Sequence, residues 1–211
     1  MSRMMRAGAV LAIAFGGSAA ANASLYVGAG GSLVDASDLP GVASFTINVG
    51  DAGTVGAING ITLSNLSHTW VGDVQITLTL PDATTVSLVN RIGYTGSLFG
   101  DSSNYLGTYA FADGGANLWE IATDPGHGNT YNIASGTYAA SGAGSGTPIN
   151  LNALLVGKSI AGAWTLTITD YESGDTGSLG GWTLDVAVVP GPGGACALAL
   201  GCAMGHRRRR R

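Results

Sequence analysis

Apolar and polar residues alternate along much of the chain. The alternation is sharpest at residues 74–80, where Val74, Ile76, Leu78 and Leu80 face one way and Gln75, Thr77 and Thr79 the other. A period of two marks a strand with one buried face. It recurs over 164–169, with Trp164, Leu166 and Ile168 inward against three threonines, and over 182–188, with Trp182, Leu184, Val186 and Val188 inward. Further strands are predicted at 43–49, 55–63, 85–90, 105–111 and 137–138, divided by turns rich in Gly, Pro, Asp and Asn. Eight or so short strands of this kind predict an all-β, antiparallel sandwich. Residues 24–43 are weakly patterned and read as either a leader or an edge strand, and no internal repeat is evident.

Composition supports this class. Glycine supplies 35 of 211 residues and charged residues only 10%; glycine disfavours helices by about 1 kcal/mol per position and suits turns. The two ends differ from the middle. Arg3 and Arg6 precede an apolar stretch over 7–15, and Ala21-Asn22-Ala23 supplies small residues for signal peptidase. The expected product of residues 1–23 is a signal peptide cut between Ala23 and Ser24. At the other end, a turn at Val189, Pro190, Gly191 and Pro192 leads into an apolar run over 193–205, then Arg207, Arg208, Arg209, Arg210 and Arg211. That run has 13 residues, against about 20 for a comfortable bilayer span. It reads as a transient membrane handle with its arginines held on the cytoplasmic side.

All 13 acidic residues lie between Asp35 and Asp185, where the bases are Arg91 and Lys158 alone. Such a surface repels phosphate backbones, which excludes nucleic acid as a partner. It favours cations instead. Asp73, Asp101, Asp170, Glu172 and Asp175 fall in turns and are candidate calcium ligands, because calcium collects six to eight oxygens. The spacing over 170–177 is not that of an EF-hand, and Asp73 has the competing role of accepting backbone hydrogen bonds in its turn. Cys196 and Cys202 both lie in the C-terminal segment, so no disulfide is expected in the sandwich.

Nothing in the sequence calls for catalysis. No Gly-x-Ser-x-Gly elbow occurs, and Gly157-Lys158-Ser159 lacks the earlier glycine of a phosphate loop, which is replaced by Asn152. His68 and His127 are the candidate bases between the two ends; a structural hydrogen bond suits the first and an exposed turn the second. Tyr94, Tyr105, Tyr109 and Tyr131 are candidate binding aromatics in a Gly-, Ser- and Tyr-rich stretch over 94–146, the expected recognition surface.

Two blocks carry a family resemblance. His68-Thr69-Trp70-Val71-Gly72-Asp73-Val74 leads into the strand to Leu80, then Pro81-Asp82-Ala83-Thr84 and residues 86–88. The second block runs from Gly162-Ala163-Trp164 to Asp170, then Gly174-Asp175-Thr176-Gly177-Ser178-Leu179 and Trp182-Thr183-Leu184. Together they resemble the P/Homo B domain that follows the catalytic domain of subtilisin-like proprotein convertases. The resemblance covers about residues 44–188 and implies a jelly-roll sandwich; Trp164 and Trp182, by the area an indole buries, are expected in its core on paired strands. It also implies a noncatalytic role and permits calcium between loops. The C-terminal layout over 189–211 is similar to PEP-CTERM sorting signals, with Gly191 where Glu is usual, and implies an exosortase-like processing enzyme. The function so expected is an exported module of the cell surface or extracellular matrix. Its partners would be an envelope protein or polysaccharide; the alternatives are an accessory of a secreted serine protease and a carbohydrate-binding jelly roll.

Overall fold

The alternating segments become the walls of a two-sheet sandwich. The computed structural model describes residues 20–96, 99–128, 131–142 and 146–191. In chain order these form β1 (Asn22–Ser32), β2 (Gly41–Val49), β3 (Gly53–His68), β4 (Val74–Thr79), β5 (Thr85–Asn90), β6 (Asn104–Ala116), the short helix α1 (Leu118–Ala122), β7 (Asn132–Ile133), β8 (Gly136–Tyr138), the short helix α2 (Leu151–Leu155), β9 (Gly162–Asp170) and β10 (Gly177–Pro190). One sheet has the order β1-β10-β3-β6-β7, with β8 also on β6; the other is β2-β9-β4-β5. Pairing is antiparallel except where β7 and β8 join β6. With those two short strands set aside, the remaining eight run first-eighth-third-sixth in one sheet and second-seventh-fourth-fifth in the other. This is jelly-roll order.

The weakly patterned N-terminal segment takes the second of its two readings and holds β1, an edge strand of the larger sheet beside β10. Two features depart from the pattern-based reading. β3 continues beyond Leu63 to His68 across a register shift, where Asn65 adopts φ 50°; a bulge resets the alternation and hides the second half from a period-two search. Trp164 and Trp182 are not on paired strands: β9 and β10 belong to different sheets. Both indoles are buried, so each sheet contributes one to the layer between them.

Side chains of both sheets fill that layer. Ile61, Leu63 and Leu66 of β3, Ile76 and Leu78 of β4, Leu166 and Ile168 of β9, and Leu184 and Val186 of β10 are all buried in one cluster. Each of the two short helices begins at an asparagine cap and buries an i, i+4 pair, Leu118 and Ala122 in α1 and Leu151 and Leu155 in α2. Asn117 accepts from Trp119 and Glu120 N–H, and Asn150 accepts from Ala153 N–H. The Asp113 carboxylate adds acceptors for Leu151 and Asn152 N–H at the start of α2.

The two indoles differ in their hydrogen bonding. Trp164 Nε1 donates to Ile160 O at 2.8 Å, whereas Trp182 Nε1 is buried without a partner among the described residues. Gly28, opposite Trp182 in the β1–β10 register, leaves room for this indole, which a Cβ there would strike. Replacing Trp164 by Phe strands a buried carbonyl; replacing Trp182 removes an already unsatisfied donor. Trp164→Phe is therefore expected to destabilise by about 1 to 3 kcal/mol more than Trp182→Phe. Urea unfolding with unchanged slopes measures the difference, and equal costs would contradict the hydrogen-bond assignment.

Candidate functional site at the end of the sandwich

The β4–β9 pair brings distant parts of the chain together. Val74 opposes Asp170 at the end of the ladder, and Tyr171 N–H donates to Asp73 O just beyond it, at 3.0 Å. Before β4 a single 3-10 turn, Val71–Asp73, is fixed by Val71 and Gly72 N–H donating to Ser103 O and Asp101 O. The crossing is so close that a Cβ on Gly72 would meet the Phe99 carbonyl. The same carbonyl accepts from Trp70 Nε1 at 2.8 Å. From the other side comes the β9–β10 loop, where Gly174 N–H donates to the Asp35 carboxylate. The result is a cavity of about 440 Å3 lined by Trp70, Asp73, Phe99, Glu172, Ser173 and Asp175.

Arg91 holds one wall. Its Nε donates to Gly72 O at 3.0 Å and its Nη2 to Glu172 Oε1 at 2.9 Å. Its guanidinium lies 3.8 Å from the Tyr94 ring centroid and 4.8 Å from that of Tyr171, within range of cation–π attraction. Beneath the cavity, His68 Nε2 pairs with Asp170 Oδ2 at 3.2 Å, both side chains being buried. His68 Nδ1 faces Trp70 N–H and C=O at 3.2 and 3.1 Å. Both ring nitrogens are thus committed to structure, and among the described residues no serine hydroxyl bonds either one. His127 stacks on Tyr131 at 3.6 Å between centroids; it is half-buried rather than fully exposed.

Asp73 is the anomaly. Its side chain is buried, yet Oδ1 has no partner among the described residues. Burial, followed by the negative charges of Asp170, Asp175 and Glu172, pushes its pKa up to about 7 despite the opposing pull of Arg91. Asp170 is raised as well, because burial outweighs the hydrogen bond and charge of His68.

Of the five carboxylates expected to bind calcium, Asp73, Glu172 and Asp175 line the cavity, Asp170 is paired with His68, and Asp101 is not among the lining residues. Asp101 instead accepts from Ser103 N–H. The other oxygens are largely engaged: Asp170 by His68 and Glu172 N–H, Glu172 by Arg91, and Asp175 by the Thr69 hydroxyl. Among the described residues no three acidic, histidine or cysteine side chains group as a metal site. Calcium takes six to eight oxygens, and Asp73 Oδ1 is the carboxylate oxygen here that is buried without a partner among the described residues.

The tyrosines separate. Tyr105 and Tyr109 are core residues, not a binding surface: inward alternation on β6 buries both, with rings edge-on at 5.2 Å. Tyr109 donates to Ile133 O, and burial raises both phenol pKa values. Tyr94 is half-buried under Arg91. At the ends, Ala23 and Ser24 pair with Ala187 and Val186 inside β1–β10, and Val189 and Pro190 close β10 opposite Thr54 and Gly53. Gly191 is the last residue described there; Pro192 and Arg207 to Arg211 lie outside the described residues, as does most of the predicted signal peptide. Among the described residues no helix is long and apolar enough to cross a membrane.

Sequence reasoning missed Arg91 as the organiser of the cleft and Phe99 as part of its lining. The signal for Arg91 was its rarity, as one of two bases amid 13 acids.

The proprotein convertase P-domain family model matches residues 128–186. That span takes in β7 to β9 and β10 as far as Val186, with Asp170, Glu172 and Asp175, but not the His68–Asp73 side of the cleft. No curated protein matches the chain. Two solved structures are similar at low identity. The Aeromonas sobria serine protease in complex with its chaperone gives a TM-score of 0.41 at 16% identity, covering 81% of this chain and 28% of that one. The same organism's serine protease alone gives 0.40 at 16%, covering 79% and 27%. This chain spans little more than a quarter of the length of those structures.

The raised Asp73 value has a signed consequence. Its carboxyl rises from 3.8 to about 7 on folding, so between these values the folded state keeps a proton that the unfolded chain has released. Stability contributed by that proton falls as pH rises through this window. Asp73→Asn is expected to leave the melting temperature nearly unchanged at about pH 4 and to raise it relative to the parent at about pH 8. Thermal melts across pH test this; a variant less stable than the parent at the higher pH would contradict it.

Proposed function

We propose that the protein is an exported, noncatalytic P-domain module that works by contact, in association with secreted proteolysis, at the cell surface or outside the cell. The observation that carries this reading is the cleft: a carboxylate buried without a partner among the described residues, lined also by Trp70 and Phe99, beside a histidine whose two nitrogens are occupied. Among the described residues both imidazole nitrogens are engaged by Trp70 and Asp170, an arrangement that supports binding over reaction. The P-domain match over 128–186 supports the association with proteases. The basic N-terminal segment and the Arg-terminated tail support export through signal peptidase and an exosortase-like enzyme. The carbohydrate-binding alternative loses support from the burial of Tyr105 and Tyr109.

Phe99 is exposed at the cleft, and Leu154 is exposed on α2, near the opposite end of β3. A photo-crosslinking amino acid placed at either position in the chain made by its own host distinguishes the two ends. Adducts of discrete mass at position 99 and none at 154 are expected. Equal labelling at both positions would overturn the reading, as would peptide hydrolysis that His68→Gln abolishes.

A further inference from the structure

We propose that the cleft receives a single lysine or arginine side chain from an extended segment of a partner protein. This rests on the reading of that end as a contact surface and adds the chemistry of what it contacts. Asp73 lines the cavity and its Oδ1 is buried without a partner among the described residues, and a buried carboxylate without a partner is costly until a cation or a proton meets it. The two bases of the described residues are already taken. Arg91 is bound to Glu172 and the Gly72 carbonyl, and Lys158 to Asp82.

The walls select an organic cation over a bare metal ion. Calcium would need several more oxygens than Asp73 and Asp175 offer, while Asp170 and Glu172 are engaged by His68 and Arg91. The Trp70 and Phe99 rings instead offer an apolar wall to the stem of a long side chain. An aromatic face within about 6 Å of the charged head adds cation–π attraction. Asp175 lies at the lining beside them and adds a second negative charge. With Asp170 paired to His68 and Glu172 to Arg91, the charge left uncompensated suits one guanidinium or ammonium group. The acid-rich surface beyond would speed the approach of a basic segment, an effect that weakens with salt.

The test is titration of the purified chain with acetyl-Gly-Arg-Gly-amide, its lysine counterpart, its citrulline counterpart and calcium chloride, read by heat and by tryptophan fluorescence, with Trp70→Phe identifying the part of the signal that Trp70 supplies. Both basic peptides should bind, with citrulline at least about tenfold weaker, and Asp73→Asn should weaken the arginine peptide by at least about tenfold. Asp175→Asn, which leaves the buried pair untouched, should weaken it about two- to fivefold and keeps the proposal testable if Asp73→Asn fails to fold. Equal affinity for the citrulline peptide, no binding at millimolar peptide, or calcium competing mole for mole would overturn the proposal. Crosslinking at Phe99 that persists while the peptides fail would overturn the basic-side-chain assignment alone; loss of both would overturn the contact surface too.

Discussion

The pairing of β4 with β9 is the constraint on which the cleft depends. These strands lie more than eighty positions apart in the chain, yet their register sets Val74 opposite Asp170 and continues through Tyr171 N–H to Asp73 O. A slip of one residue would turn Ile76, Leu78, Leu166 and Ile168 away from the core. Burial of those side chains therefore holds the register, and the register places Asp73 and Asp170 at the same end. What looks like an electrostatic site is positioned by apolar packing.

The economy of positive charge shapes that end further. Asp170 is answered by His68, Glu172 by Arg91, and Asp82, on the β4–β5 turn, by Lys158. The Arg91–Glu172 pair is partly buried and tied to the Gly72 carbonyl and two tyrosine rings, so it fixes geometry more firmly than the exposed Lys158 pair. Exposed pairs contribute at most about 1 kcal/mol. Among the described residues Asp73 is the buried acid of this end left without a hydrogen-bond partner for Oδ1. In a domain with so few bases, an unanswered buried acid is the feature that points outward to a partner.

Much of the fold was legible because a half-buried strand writes its geometry into a period of two. The segments 74–80, 85–90 and 164–169 correspond closely to β4, β5 and β9 for this reason. β1 was obscure because its glycines and small residues, Gly28 among them, serve to make room for Trp182 and leave little alternation. Periodicity also says which residues share a face but not which sheets oppose, so the two core tryptophans were assigned to paired strands when they lie on facing sheets. For the cleft, residue type identified Asp73, Asp170, Glu172 and Asp175, while their hydrogen-bond commitments were invisible. Tyr105 and Tyr109 misled because a tyrosine in a Gly- and Ser-rich stretch reads as exposed, and only the β6 ladder shows that both point inward.

The state of Asp73 is best read directly from the carboxyl carbon resonances of the purified chain followed by NMR across pH. One aspartate titrating near pH 7 and assigned to Asp73 is the expected result. If every aspartate instead titrated below about pH 5, as solvated carboxylates do, Asp73 would not be a buried acid without a partner and the cleft would lose its basis as a cation site.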